Sequence, residues 1–310
     1  MSADLRAGAA AYLALRRAMG YQLTGHDGLI GEFLDYLDQR QATAVTVEDA
    51  LDWACLPQGV RPRRHTVRLS LIRGFAAYLN ADCADDAELI PVGLVPSRVE
   101  HAVPYLYAPG QIATLMTRAQ TLKPVIRGLT LATVIGLMAS TGIRIGEALL
   151  LNTTGFDPAH STITVTGKYR KTRRLPIHSS TTAALTHYLQ VSRKLVDPPA
   201  DQAFFLTRNA TRALAGSIEK AFRVLTTQCQ LPTGPGSHQP RLHDLRHSFA
   251  VNTLIDAHRD GGDGDARIAT LASYLGHVSP SSTYWYLTAS PELLDLVAER
   301  VETHRRDRSS

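Results

Sequence analysis

Apolar positions recur with helical spacing through the first eighty residues. Residues 3–19, 28–40 and 46–55 each read as a short amphipathic helix, the third opened by Thr46 with Asp49 three positions on. Pro62 suits the first position of a fourth helix running to about Asn80. On that helix Arg63, Thr66, Ser70 and Arg73 fall at i, i+3, i+7 and i+10 and form one polar, basic stripe, while Leu71, Ile72, Phe75 and Leu79 point the other way. A helix with one basic and one buried face suits the DNA major groove; a solvated outer face has the same pattern, and the stripe alone favours that plainer reading.

The periodicity then fades. Residues 80–104 hold three prolines and an acidic cluster, the composition of an inter-domain linker. Helical patterns return beyond it, with one interruption: Ile163 to Thr166 and Arg174 to Ile177 are β-prone segments joined by a basic turn, a hairpin pattern. The predicted fold is mainly α with a small β-sheet: a helical domain over 1–80, a linker over 81–104, and a larger, mostly helical α+β domain over 105–310.

Composition narrows the class. The chain has 310 residues, 44% hydrophobic and 20% charged, as in ordinary globular proteins. The first twenty residues lack the zones of a signal peptide, and no apolar run approaches the ~20 residues that span a bilayer. Cys55, Cys83 and Cys229 are scattered, which predicts neither a disulfide framework nor a thiolate metal site. The expectation is a cytoplasmic protein with reduced thiols and no membrane partner. The net charge of +5 is uneven. Residues 1–103 carry 10 Arg against 13 acidic side chains, and residues 104–310 carry 23 basic against 15 acidic ones. A polyanionic partner for the second part fits this imbalance, as does a solvated basic surface.

Four segments of the second part carry candidate chemistry. In ASTGIRIGEALLL, Gly142 breaks a helix, and Arg144 and Glu147 lie three apart near the start of the next. Such an arginine can aim its fork at a phosphate while the carboxylate holds it, although Arg–Glu pairs at this spacing usually decorate surfaces. TGKYRKTRRLP has five basic side chains in seven positions: Lys168, Arg170, Lys171, Arg173 and Arg174. One lysine there can deliver a proton into a cleft, and the patch as a whole can bind a phosphate backbone. In RLHDLRHSFA, His243, Arg246 and His247 share a helical face, with Leu242, Leu245 and Phe249 turned inward. His243 and His247 also have metal-ligand spacing, but Asp244 stands where the zinc-protease motif needs Glu. In SYLGHVSPSSTYWYLT, His277 follows Gly276, and Tyr284 and Tyr286 follow in an aromatic segment of a kind more often found in cores.

The ordered set Arg, Lys, His-x-x-Arg, His and Tyr resembles the catalytic set of the tyrosine recombinase (phage integrase) family. The spacings are similar too: Lys168 follows Arg144 by 24 positions, Arg246 follows His243 by three, and Tyr286 follows His277 by nine. The words TGIRIGEAL, GKYRKTRRLP, HDLRHSFA and LGH resemble the family's over residues 104–298, the N-terminal helices look like its core-binding domain, and STYWYLT looks most like transposon-encoded members. Tyr169 stands where many relatives have Gly, which keeps Lys171 beside Lys168 as a candidate acid.

The resemblance implies a site-specific DNA recombinase that needs no cofactor and no metal. Tyr286 is the nucleophile, Arg144 and Arg246 bind the non-bridging phosphate oxygens, Lys168 is the acid, and His243 is a candidate base in a step the family leaves open. His277 hydrogen-bonds the phosphate, and Glu147 orients the cluster from behind. Arg63, Thr66, Ser70, Arg73, Arg170, Lys171, Arg173 and Arg174 are expected DNA contacts. The implied partners are double-stranded DNA, further copies of the chain (a dimer on a site, a tetramer in the synaptic complex) and other recombinases of the same element. The implied terminal helix, opened by Ser290 and Pro291, docks on a neighbouring protomer. DNA relaxation of the type IB topoisomerase kind shares the chemistry; a non-catalytic DNA-binding regulator and a histidine-dependent metallohydrolase are readings of other classes.

Overall fold

The computed structural model describes the chain except residues 1, 22, 24, 61, 83–86, 97–102, 168–170, 198–201, 235–237, 261–263 and 277–310. The chain divides into two compact units, Met1–His101 and Ala102–Ser310.

The first unit is built on four helices, α1 (Ser2–Ala18), α2 (His26–Gln39), α3 (Val47–Cys55) and α4 (Pro62–Asp82). Helix α3 starts where the pattern places it. Thr46 is in extended backbone, and its hydroxyl oxygen accepts the Asp49 amide at 3.0 Å. Phe33, Trp53, Ile72 and Phe75 fill the core, with Phe33 edge-on to Trp53 at 5.2 Å. A charge enters this core that periodicity did not announce. Arg68 is buried, its guanidinium 3.6 Å over the Trp53 ring, and it donates to the Trp53 carbonyl at 3.1 Å and to Glu32 at 3.2 Å.

The polar stripe of α4 splits in two. Arg63 and Ser70 are exposed. Arg73 instead donates to the carbonyls of Ile90 (3.0 Å) and Pro91 (2.8 Å), and the Thr66 hydroxyl donates toward those of Pro62 and Pro96, both at 3.3 Å. Thr66 and Arg73, both expected as DNA contacts, are half-buried and hold carbonyls of α4 and of the segment that follows it. Part of the stretch expected as a linker packs on this unit. Ala87, Ile90 and Val95 are buried in the first unit's core, and Ala87 bridges to Val45. Prolines end regular structure without preventing burial, provided side chains such as Arg73 satisfy the freed carbonyls.

The second unit surrounds α6 (Val125–Thr141), apolar on nearly every side, with α5 (Pro109–Gln120), α8 (Ser179–Leu195) and α10 (Asp244–Arg259) against it. A short α7 (Ile145–Leu149) leads into the antiparallel sheet β1 (Phe156–Asp157), β2 (Thr162–Thr166) and β3 (Thr172–Pro176), in that order. The hairpin was legible in the sequence; β1, two residues long, was too short to read. Val165 opposes Arg173, and Ile163 opposes Leu175. Ile163, Val165 and Leu175 are buried, so this face of the sheet looks inward. Helices α9 (Ala215–Gln228) and α11 (Gly264–Leu275) complete the described part. Val251 and Leu254 of α10 pack with Leu271 and Leu275 of α11. No described helix is long and apolar enough to cross a membrane.

Candidate active site

The site begins where α6 ends. Gly142 takes φ +62°, and a Cβ there would come within 2.4 Å of Phe249 Cδ1, so both conformation and space require glycine. The reversed chain places Arg144 as the extended residue that opens α7. Three positions on, Glu147 turns back. Its Oε2 accepts the Arg144 amide at 2.9 Å and its Oε1 accepts Arg144 Nη1 at 3.0 Å. A carboxylate in the first helical turn also faces the positive end of the helix.

Glu147 is only 4% exposed, and its second cation comes from the sheet. Arg173 donates Nη1 to Oε1 at 2.9 Å and Nη2 to Oε2 at 3.0 Å, a two-pronged pair. The same guanidinium reaches the end of α11, giving Nε to the Tyr274 carbonyl (3.1 Å) and Nη2 to that of Leu275 (3.3 Å). Arg144 Nη2 lies 3.5 Å from the Gly276 carbonyl. Arg246, 1% exposed, donates Nη1 to Gly142 O at 2.7 Å and Nη2 to Leu275 O at 2.9 Å. Three guanidiniums thus meet on the last carbonyls of α11, the negative end of that helix. Gly276 takes φ +66°, and a Cβ there would sit 2.8 Å from Arg173 Nη1.

Burial pushes the Glu147 pKa up, but the hydrogen bonds from Arg173 and the Arg144 amide, with the charges of both arginines, outweigh it and hold the carboxyl below its ordinary 4.5. A depressed carboxyl pKa means that the unfolded chain binds protons first as pH falls. The stabilisation from Glu147 is therefore full above pH 4.5 and is lost as pH drops through the folded value. Glu147→Ala is expected to cost about 3 kcal/mol at neutral pH, because it strands Arg173 against the core. Glu147→Gln should flatten the fall in melting temperature below pH 4.5, measured by thermal denaturation across pH. An unchanged acid slope would show that Glu147 is not the group responsible.

His243 precedes α10 and keeps an exposed edge. The surrounding protein and the charges of Arg246, Arg241 and Arg144 push its pKa below 6.5, with Asp244 opposing. Burial and the arginine charges thus both favour the neutral imidazole. The His243 and His247 rings stand edge to face at 4.8 Å. Asp244 is buried and accepts the Arg241 amide and Nη2, both at 2.8 Å; it closes the start of α10. Among the described residues no group of three or more His, Cys, Asp or Glu side chains converges.

The structure brings Arg144, Glu147, His243 and Arg246 to one place, with Arg246 buried and donating to the Gly142 and Leu275 carbonyls. Arg173, expected on the DNA-backbone patch, is a half-buried partner of Glu147, its side chain 19% exposed. The missed signal was alternation, for Arg173 shares the inward face of β3 with Leu175, and a charge on a core face has a partner waiting. Lys171 is exposed, as is Arg174, which pairs with Asp157 at 3.1 Å and Thr162 at 2.9 Å. Lys168, Arg170, His277, Tyr286 and the proposed terminal helix lie outside the described residues.

Residues 107–292 match the family described as Phage integrase family. A protein of Sinorhizobium fredii with the provisional name integrase/recombinase y4rB is 34% identical over 96% of this chain and 97% of its own. Tyrosine recombinase XerC of Roseiflexus sp. is 29% identical over 82% of this chain and 78% of its own. Among solved structures, the Tn1549 transposon integrase in complex with transposon right end DNA superposes with a TM-score of 0.65 at 17% identity, covering 96% of this chain and 98% of that one. The XerH site-specific recombinase bound to its difH substrate gives 0.67 at 16% identity, covering 90% and 80%.

Proposed function

The chain belongs to the phage integrase family and is a tyrosine-type site-specific DNA recombinase; from that premise we propose how its own residues carry the reaction. Arg144 and Arg246 bind the non-bridging oxygens of the scissile phosphate, which neutralises its charge and sharpens it for attack. The Tyr286 phenol oxygen attacks phosphorus while its proton passes to neutral His243. The bond to the 5′-oxygen breaks, and Lys168 gives that oxygen a proton. His277 donates to the phosphate, and Glu147 orients Arg144. The product is a 3′-phosphotyrosine and a 5′-hydroxyl. Because the ester energy is kept in the covalent link, a 5′-hydroxyl from a second duplex reverses the step and completes strand exchange.

One observation carries this reading. Arg144 and Arg246, distant in sequence, both end on the turn leaving α11, on Gly276 and Leu275, and His243 lies in the field of both. Exposed Arg63, Ser70, Lys171 and Arg174, with Arg170, supply contacts to the DNA backbone. The enzyme works in the cytoplasm as a dimer on each site and a tetramer at synapsis.

A nicked suicide duplex carrying the native site tests the proposal. The wild-type protein should accumulate as a covalent 3′ adduct in the presence of EDTA. Binding without an adduct would favour a DNA-binding regulator, and loss of the adduct in EDTA would favour a metal-dependent hydrolase. Adducts that give relaxation but never strand exchange between two duplexes would point to the topoisomerase reading.

A further inference from the structure

We propose that Arg241 grips a DNA phosphate next to the scissile one; this rests on the reading of Arg144, His243 and Arg246 as the scissile-phosphate cluster. The second unit builds one arrangement twice. Ahead of α7, Arg144 gives its amide (2.9 Å) and Nη1 (3.0 Å) to the carboxylate of Glu147, three positions on. Ahead of α10, Arg241 gives its amide (2.8 Å), Nη2 (2.8 Å) and Nε (3.3 Å) to the carboxylate of Asp244, also three positions on. Both carboxylates are buried, their side chains 4% and 2% exposed, while the two arginines are open to solvent at 37% and 50%. Each guanidinium is thus held by a buried anion and keeps further donors free for another. For Arg241 these include Nη1, which makes no hydrogen bond among the described residues.

The backbone of Arg241 is fixed as well. Its carbonyl accepts the hydroxyl of buried Tyr107 at 3.0 Å and the Asp244 amide at 3.0 Å. Tyr107 in turn gives its own amide to Ser248 Oγ of α10 at 2.8 Å. Side chain, amide and carbonyl are therefore all anchored, which reduces the freedom lost when the guanidinium meets an anion. Arg241 also stands close to the site, since burial and then the charges of Arg246, Arg241 and Arg144 depress the His243 pKa. It stands beside the cluster rather than in it, because Asp244 lies off the helical face that His243 and Arg246 share. Each DNA strand carries a phosphate about every 3.4 Å of helix axis, so a fixed cation beside the scissile phosphate meets its neighbour.

Gel shifts across a range of salt concentrations read the contact. Arg241→Gln should bind the native site about 10-fold more weakly, the loss of one charge-assisted hydrogen bond. The slope of log affinity against log salt should fall by about 0.9, the value for one phosphate. Arg241→Lys, still a cation, should keep the slope. A methylphosphonate, which removes the charge of one phosphate, locates the partner. At one position flanking the scissile phosphate it should weaken binding by the wild type and leave Arg241→Gln unaffected. The double variant Arg241→Gln/Asp244→Asn exchanges the ion pair for a neutral hydrogen-bonded one. It should recover any loss of melting temperature and keep the binding defect. If it recovers binding as well, Arg241 serves only Asp244 and the proposal is overturned. An unchanged salt slope in Arg241→Gln, or equal methylphosphonate penalties in both proteins at every flanking position, would overturn it too. A covalent adduct from the wild type would then leave the underlying reading standing. No adduct from the wild type on the suicide duplex would sink that reading and the proposal together.

Discussion

Tyr286→Phe should bind its DNA site with wild-type affinity and yield no covalent adduct at any time of incubation. The substitution removes one oxygen, the atom proposed to bond phosphorus, and leaves an aromatic ring of nearly the same size. Tyr284→Phe, two positions away in the same aromatic segment, should form the adduct at the wild-type rate. Denaturing gels of suicide-substrate reactions read both variants directly. The spacing of nine from His277 is the one the family resemblance implies for the nucleophile, which assigns Tyr286 rather than Tyr284. Exchange of the two phenotypes would move the nucleophile to Tyr284.

Arg144→Ala should lower single-turnover cleavage by about 10²–10³-fold, the effect of removing one preorganised donor from a developing charge. Its effect on folding should be small, no more than about 1 kcal/mol. The asymmetry follows from geometry. The Arg144 side chain is 37% exposed, and Glu147 retains both prongs of Arg173 when Arg144 is truncated. Glu147→Ala reverses the balance, because it leaves the inward-facing Arg173 without its anion. Arg144→Lys should recover little, since a point charge cannot serve Glu147 and a phosphate edge together. Melting temperature, gel shift and cleavage rate measured on the same three variants separate the roles. A large stability loss in Arg144→Ala, with cleavage reduced only in proportion to the folded fraction, would make Arg144 a structural residue.

Local chemistry was legible wherever it was local in origin. Thr46 with Asp49 starts α3, Pro62 opens α4, and Gly142 ends α6, because caps and breakers act within a turn of themselves. The order and spacing of Arg144, His243 and Arg246 carried the family resemblance before any fold was known. Composition misled where burial and regularity part company. The proline-bearing stretch with Ala87, Ile90 and Val95 looks like a linker in one dimension and belongs to a core in three.

The sequence by itself determined the helical frame and the hairpin, since periodicity is a property of the chain alone, and its motif spacing carried the family resemblance. Tertiary structure alone decided the company each charge keeps. Arg73 and Arg173 both sit in basic stretches that read as DNA contacts, yet one holds the Ile90 and Pro91 carbonyls and the other a buried carboxylate. Arg68 lies over Trp53, and Arg246 joins Gly142 to Leu275. An arginine carries five donors on a long stem and can serve a phosphate or a carbonyl equally well. Which of these it meets depends on acceptors tens of residues away, and those are brought to it only when the chain folds.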